Sequence, residues 1–411
     1  MTILITATNW WHHPVKLALA LAKTGARVEV ICPKGSSLLS ARAVSEHYSY
    51  RAMRPLESLK DAIERANPDL IVPCDELAVA HLHELHAQSV KGGAGGSRIR
   101  ELIVRSLGSP EGYASIRSRA AIMTLAQEEG ILVPEWGAIK EIVDLEKWNK
   151  VIEFPWVLKR DGSSSGMGVR IVRTVAEAKR ACRGLAAHPT AIYAFKRILA
   201  NRDPFQVRTW LRGERPGVTV QAFIDGTPAN ISMACWQGEV LASFSVVVCE
   251  TLRANGAASI VRLMDDPAMV RAAERLARRL GLSGFYGLDF MIDRKTGAAY
   301  LIELNPRAAQ LCHLHLGPGR DLTVALLARL AGIPIPDTPN VTTASTIAIF
   351  PRAWLQNPRN EVFSTGFHDV PSEEPELIVE MLKAPRPERG LMQFIINHLR
   401  TALKSTSPSR F

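Results

Sequence analysis

Residues 155–172 read PWVLKRDGSSSGMGVRIV, and they limit the fold more than any other stretch of the chain. Trp156, Val157 and Leu158 lead in, and Val169, Arg170, Ile171 and Val172 lead out. Two strand-like runs around a short polar loop predict a β-hairpin. Gly162, Gly166 and Gly168 permit tight and positive-φ backbone, and Ser163, Ser164 and Ser165 add hydroxyl donors. Such a loop can fold its N–H groups over an anion, with phosphate the first candidate. The helix-opening phosphate loop does not fit, because no Gly-Lys-Ser/Thr follows and no helix starts there. The dinucleotide fingerprint fails for the same reason.

Residues 284–307, GFYGLDFMIDRKTGAAYLIELNPR, predict a second hairpin that turns at Asp293–Gly297. Glu303 and Asn305 are two apart and so share one strand face. A register that sets Asp289 opposite Glu303 brings all three oxygen-bearing side chains to that face. Such ligands suit magnesium, which completes its shell with water and phosphate. Asp289 and Glu303 interrupt apolar runs, where burial requires a partner. Arg307, just beyond, can meet a phosphate or a developing oxyanion.

Together the two segments resemble the ATP-grasp superfamily over about residues 1–335, with ELNPR the most specific part. The resemblance implies an α/β chain of ATP-grasp fold: two α+β lobes that sandwich ATP, preceded by a small open α/β domain. It implies a glycine-rich lid over the triphosphate and magnesium, or manganese in its place, on Asp289, Glu303 and Asn305. Lys159 matches the family lysine on the nucleotide phosphates, and Arg119 the earlier basic residue, with Arg117 competing. VQAFIDG at 220–226 looks like the hinge that passes adenine between the lobes, so Gln221, Ala222, Phe223 and Ile224 are expected at the nucleotide. Backbone groups around Ala222 and Ile224 would read the purine edge. The ribose-binding acid of many members has no counterpart at Ala222 or Pro228, which leaves Asn230 or Gln221 for that role. Arg307 and Arg262 are the expected catalytic residues, Arg262 on a substrate carboxylate with Glu250 or Arg253 beside it. The implied reaction activates a small carboxylate as an acyl phosphate and joins it to an amine. Competing readings are a bicarbonate-dependent carboxylase working through carboxyphosphate, and a nucleotide-binding regulatory protein without turnover. Relatives often dimerise through the first lobe, so a homodimer is the implied assembly.

The expected domains are 1–110 (first α/β domain), 111–188 (small lobe), 189–335 (large lobe) and 336–411 (C-terminal extension). In the first, strands at 3–7, 27–32 and 69–76 surround helices at about 15–24 and 56–66. The loop Thr8–His13 and Cys74-Asp75-Glu76 then sit at carboxyl ends of strands, where ligands gather in open α/β sheets. KGGAGGS at 91–97 predicts a flexible connection, and residues 390–404 an amphipathic basic helix. At 411 residues the chain can enclose more than one core. The six cysteines form no C-x-x-C pair, which argues against a zinc knuckle or redox motif. Net charge is +10, with the basic residues dispersed. That pattern favours small anions over nucleic acid as partners. No apolar run reaches the ~20 residues that span a bilayer, and MTILITATNWW lacks the order of a secretion signal. A cytoplasmic location is the expectation.

Overall fold

The computed structural model describes residues 1–89, 93–162, 168–186, 217–252, 256–336 and 339–383. Ser163, Ser164, Ser165 and Gly166 of the glycine loop lie outside these ranges, as do Arg253 and the helix expected at 390–404.

Strands β1 (Thr2–Thr6), β2 (Arg27–Cys32), β3 (Val44–Ser49) and β4 (Leu70–Pro73) form a parallel sheet in the order β3-β2-β1-β4. β1, β2 and β4 are near-continuous apolar runs because helices cover a parallel sheet on its faces. Helix His13–Lys23 buries Val15, Leu17 and Leu21, and helix Pro55–Ala66 buries Leu59 and Ile63. β3, VSEHYS, is an unexpected strand. It lies at the sheet edge with mostly exposed side chains, so it carries no hydrophobic period. The connection expected at 91–97 is also corrected, since helix Gly93–Leu107 begins within it. A Cβ at Gly96 would stand 2.4 Å from the Ser89 carbonyl oxygen. The glycine thus serves a close backbone approach rather than flexibility.

β5 (Trp136–Ile139), β6 (Trp156–Arg160), β7 (Val169–Val172) and β8 (Val218–Ala222) form an antiparallel sheet in the order β5-β8-β6-β7. The glycine loop joins β6 to β7, with Lys159 opposite Val169, as the hairpin pattern predicts. Trp156, Leu158 and Val220 pack on helix Val175–Ala186. β8 falls within the range expected for the large lobe, yet it pairs here. The chain therefore changes sheets at residues 223–225.

The third sheet holds β9 (Gly226–Trp236), β10 (Glu239–Thr251), β11 (Ala258–Met264), β12 (Gly284–Asp293), β13 (Ala299–Asn305), β14 (Thr346–Ile349) and β15 (Phe367–Asp369), in the order β13-β12-β9-β10-β11-β14-β15. β9 and β10 turn at Gln237 and Gly238, both at positive φ (49° and 86°), the twist that two-residue hairpins favour. β14 and β15 come from the expected C-terminal extension and instead complete this sheet.

Helix Pro267–Leu280 covers one face with Met269 and Leu276 against Met233, Tyr286 and Leu288. Its Asp266 cap accepts the N–H groups of Ala268 (2.8 Å) and Met269 (3.2 Å), and Gly281 ends it at φ 60°. Such a cap contributes about 1 kcal/mol. On the other face one continuous core joins Ile3, Ile5 and Val72 of the first sheet to Phe244, Val246, Val261 and Ile347. That packing brings the residues that follow β1 and β4 beside Arg307.

Candidate active site

A cavity of about 530 Å³ opens where the three sheets meet, lined by Val157, Lys159 and Gln221 of the small sheet, Asp289 and Glu303 of the large one, and Glu76, which opens the helix after β4. Asp289 stands opposite Glu303 in the β12–β13 register, and Gly287 opposite Asn305. The three side chains meet on one face as the spacing predicts, and Asn305 Nδ2 donates to Asp289 Oδ2 (3.0 Å). The register shifts between Asp289 and Phe290, so Ile302 falls out of the ladder. A bulge of this kind frees a backbone group. Here the Ile302 carbonyl accepts from Lys159 Nζ (3.3 Å).

Arg119, rather than Arg117, reaches the cavity. It opens helix Arg119–Glu128, which Ser118 caps through the Ala121 N–H (3.3 Å). Its Nη2 pairs with Glu303 Oε1 (2.7 Å), and its N–H donates to Asp161 Oδ1 (3.3 Å). Asp161, two residues after Lys159, is an acid that sequence reasoning did not single out. Arg117 instead acts on His83, which burial and then the Arg117 charge push down to about 3.

Burial dominates the electrostatics. It pushes Asp289 up to about 6, helped by Glu303 and opposed by Asn305, Arg307 and Lys159. It pushes Lys159 down to about 8 against the attraction of Glu303. The two carboxylates face each other with Lys159, Arg119 and Arg307 around them, and burial more than their mutual repulsion raises Asp289.

At the opposite end the hinge differs from expectation in detail. The Ala222 N–H is taken by the Glu135 carbonyl (2.7 Å) and the Phe223 N–H by that of Pro155 (3.1 Å). The Ile224 and Asp225 N–H groups have no backbone partner among the described residues, and of the two residues Ile224 lines the cavity. Phe223 lines the cavity and is partly exposed, not core. Gln221 is 1% exposed, and its Nε2 is buried without a partner. A buried orphan donor in a cavity wall needs an acceptor. Gly162 and Gly168 flank the loop, Gly162 at φ 67°.

Arg307 lies where the first sheet meets the large one. Its Nε donates to Glu76 Oε1 (2.9 Å), its Nη1 to the Ala308 carbonyl (3.3 Å), and its guanidinium sits 5.5 Å from the Trp11 ring. The loops flagged at the carboxyl ends of β1 and β4 thus reach the site through Trp11 and Glu76. Arg262 is a correction: it is exposed on β11 and does not line the cavity, whereas its neighbour Val261 does. Strand alternation sends adjacent side chains to opposite faces. Glu250 does line the cavity, but its carboxylate is held by Asn360 Nδ2 (3.0 Å) and Gln356 Nε2 (3.4 Å).

Sequence reasoning missed Arg352. Its Nη1 donates to Gln310 Oε1, and burial, then Arg307, lowers it to about 10. Gln310, which lines the cavity, links Arg352 to this end. Lys16 of the first lobe pairs with Asp369 of β15 and donates to the Phe350 carbonyl (3.2 Å), two residues before Arg352. His313 Nε2 completes the buried network at Asp369 Oδ1 (2.8 Å). Lone residues of the late chain carry no spacing signal for such contacts.

Residues 199–310 match the model of the ATP-grasp domain. A formate-dependent phosphoribosylglycinamide formyltransferase of Bacteroides thetaiotaomicron is 23% identical over 349 residues, 81% of this chain and 78% of that protein. The biotin carboxylase domain of the Hydrogenobacter thermophilus 2-oxoglutarate carboxylase, determined with MgADP, ADP and bicarbonate, superposes with a TM-score of 0.58. It is 15% identical and is matched over 80% of this chain and 69% of that one. An L-amino acid ligase from Bacillus licheniformis gives 0.53 at 15% identity, over 80% and 74%. At such identities structural likeness speaks for the fold. Residues 199–310 thus carry the ATP-grasp domain match, and the chain as a whole has the ATP-grasp fold.

Proposed function

We propose that the protein is an ATP- and magnesium-dependent ligase that activates a small carboxylate as an acyl phosphate and passes the acyl group to an amine. The observation that carries this reading is the convergence of Asp289, Glu303 and Asn305 with Lys159, Arg119 and Arg307 in one cavity. Asp289, Glu303 and Asn305 fit magnesium by donor type and by their meeting on one face of the hairpin. Manganese shares that oxygen preference. The ion when bound supplies charge neutralisation on phosphate oxygens.

Gln221 Nε2 and the Ile224 N–H address the nucleobase. Lys159 and Arg119 offset the negative charge of the phosphates. A substrate carboxylate attacks the γ-phosphorus, ADP leaves, and the amine then displaces phosphate from the acyl carbon. Arg307 forms the cationic end that holds the reacting carboxyl oxygens, and Arg352 reaches that end through Gln310. Bicarbonate as the activated acid is the second reading, in line with the Hydrogenobacter neighbour, which was determined with bicarbonate. The Hydrogenobacter neighbour is a domain dimer, and we extend homodimeric assembly to this chain, to be tested by sedimentation.

The test is incubation with ATP, magnesium and pooled amino acids and small amines, with and without bicarbonate, read by phosphate release and product mass. A ligated product with stoichiometric ADP supports the amide-forming reading. Phosphate release that needs bicarbonate alone moves the assignment to the carboxylase, and none under any condition removes the ligase.

A further inference from the structure

Arg307 is held on two of its three nitrogens. Nε donates to Glu76 and Nη1 to the Ala308 carbonyl, while Nη2 has no hydrogen-bond partner among the described residues. The Trp11 ring packs against the guanidinium 5.5 Å away. We infer that Glu76 is a positioning residue: with Trp11 it sets the orientation of Arg307, so that the unclaimed nitrogen serves the reacting oxygens. This rests on the ligase reading above.

Glu76 is itself firmly placed. It is the first residue of helix Glu76–Gln88, whose Asp75 cap accepts the Ala78 N–H (2.8 Å). Asp75 also accepts the Thr8 N–H (2.6 Å) and the Thr8 hydroxyl (2.8 Å). It thereby ties the loop that carries Trp11 to the loop that carries Glu76. Asn9 Oδ1 then receives the Trp11 N–H (3.0 Å). The Pro73 carbonyl at the end of β4 accepts the Ala308 N–H (3.1 Å), which fastens the first sheet to the residue after Arg307. Both walls around the guanidinium therefore come from the first lobe, braced by one aspartate.

Stability alone does not call for this arrangement. An acidic residue in a first helical turn is already favoured by the helix dipole, and a partly exposed ion pair contributes little. What the pair achieves is direction. A planar guanidinium fixed along one edge presents its remaining donors in one defined plane. Misplacing a reacting group by about 1 Å can cost about 10²-fold in rate. The first lobe thus takes part in the chemistry through an arginine of the large lobe.

The test is a double-mutant cycle of Glu76→Ala and Arg307→Lys. It is assayed with MgATP and the pooled amino acids and small amines, alongside calorimetric MgATP binding and thermal melting. Glu76→Ala is expected to lower kcat about 10²-fold while the KM for ATP and the MgATP affinity stay within about twofold. In the Arg307→Lys background the same change is expected to add nothing, because the residue acts only through that arginine. Glu76→Gln, which keeps the volume, serves the same cycle if Glu76→Ala does not fold. Full kcat in a well-folded Glu76→Ala protein overturns the inference and leaves the ligase reading standing, and so do losses that multiply in the double mutant. Wild-type protein that binds MgATP but turns over none of the pool ends the ligase reading, and the inference with it.

Discussion

Nucleotide affinity should depend on pH through Lys159. The residue is 6% exposed, and burial holds its ammonium at about 8, against an ordinary value of 10.5. That lowering corresponds to about 3 kcal/mol of cost for keeping the charge in the buried site. Between pH 8 and 10.5 the unfolded chain binds more protons at this position than the native one. The apo protein should therefore gain stability as pH rises through that window. Phosphates reverse the preference, because they favour the charged lysine. Affinity for MgATP should be flat below pH 8 and then fall by at most about tenfold per pH unit, so it is about tenfold weaker at pH 9 than at pH 7. Binding at pH 9 should take up close to one proton. Titration calorimetry in two buffers of different ionisation enthalpy measures both quantities. Lys159→Ala should weaken binding by about 2 kcal/mol, the size of a charged hydrogen bond, and flatten the pH dependence. Wild-type affinity that is constant from pH 7 to 9, or an alanine variant with the same slope, refutes the reasoning.

Glu303→Gln removes a carboxylate from the face opposite Asp289. It should cut phosphate release about 10³-fold with an unchanged circular-dichroism spectrum, and wild-type turnover sinks the metal-face assignment. Arg262→Ala should leave turnover within about twofold, as exposed substitutions usually do. A loss beyond tenfold would return Arg262 to the substrate. Lys16→Met strands Asp369 in the interior beside His313 and should cost about 3 kcal/mol. Chemical denaturation measures that cost, and a change below about 1 kcal/mol means the network is not the tie it resembles.

Local periodicity was enough for much of the site. Alternation in FYGLDFMI and AYLIELN places Glu303 and Asn305 on one face, and the short turn at Asp293–Gly297 brings Asp289 opposite Glu303. The same logic places Lys159 at the mouth of the glycine hairpin. These features need only neighbours in sequence, and a pleated strand leaves them little freedom.

Long-range features were not legible. The edge strand β3 has no apolar period, and β14 and β15 join their sheet only because β11 offers an open edge to a segment more than eighty residues away. Arg262 carries the same charge as Arg352, but strand alternation leaves the first exposed while the sheet edge carries the second inward, against Gln310. Sequence alone determined the two hairpins and the chemistry on their faces, since register and turn geometry are local. Only the tertiary structure decided which cations meet that chemistry and that Glu76 and Trp11 of the first lobe orient Arg307. Those contacts depend on how separate cores pack, over spans for which a linear chain has no period.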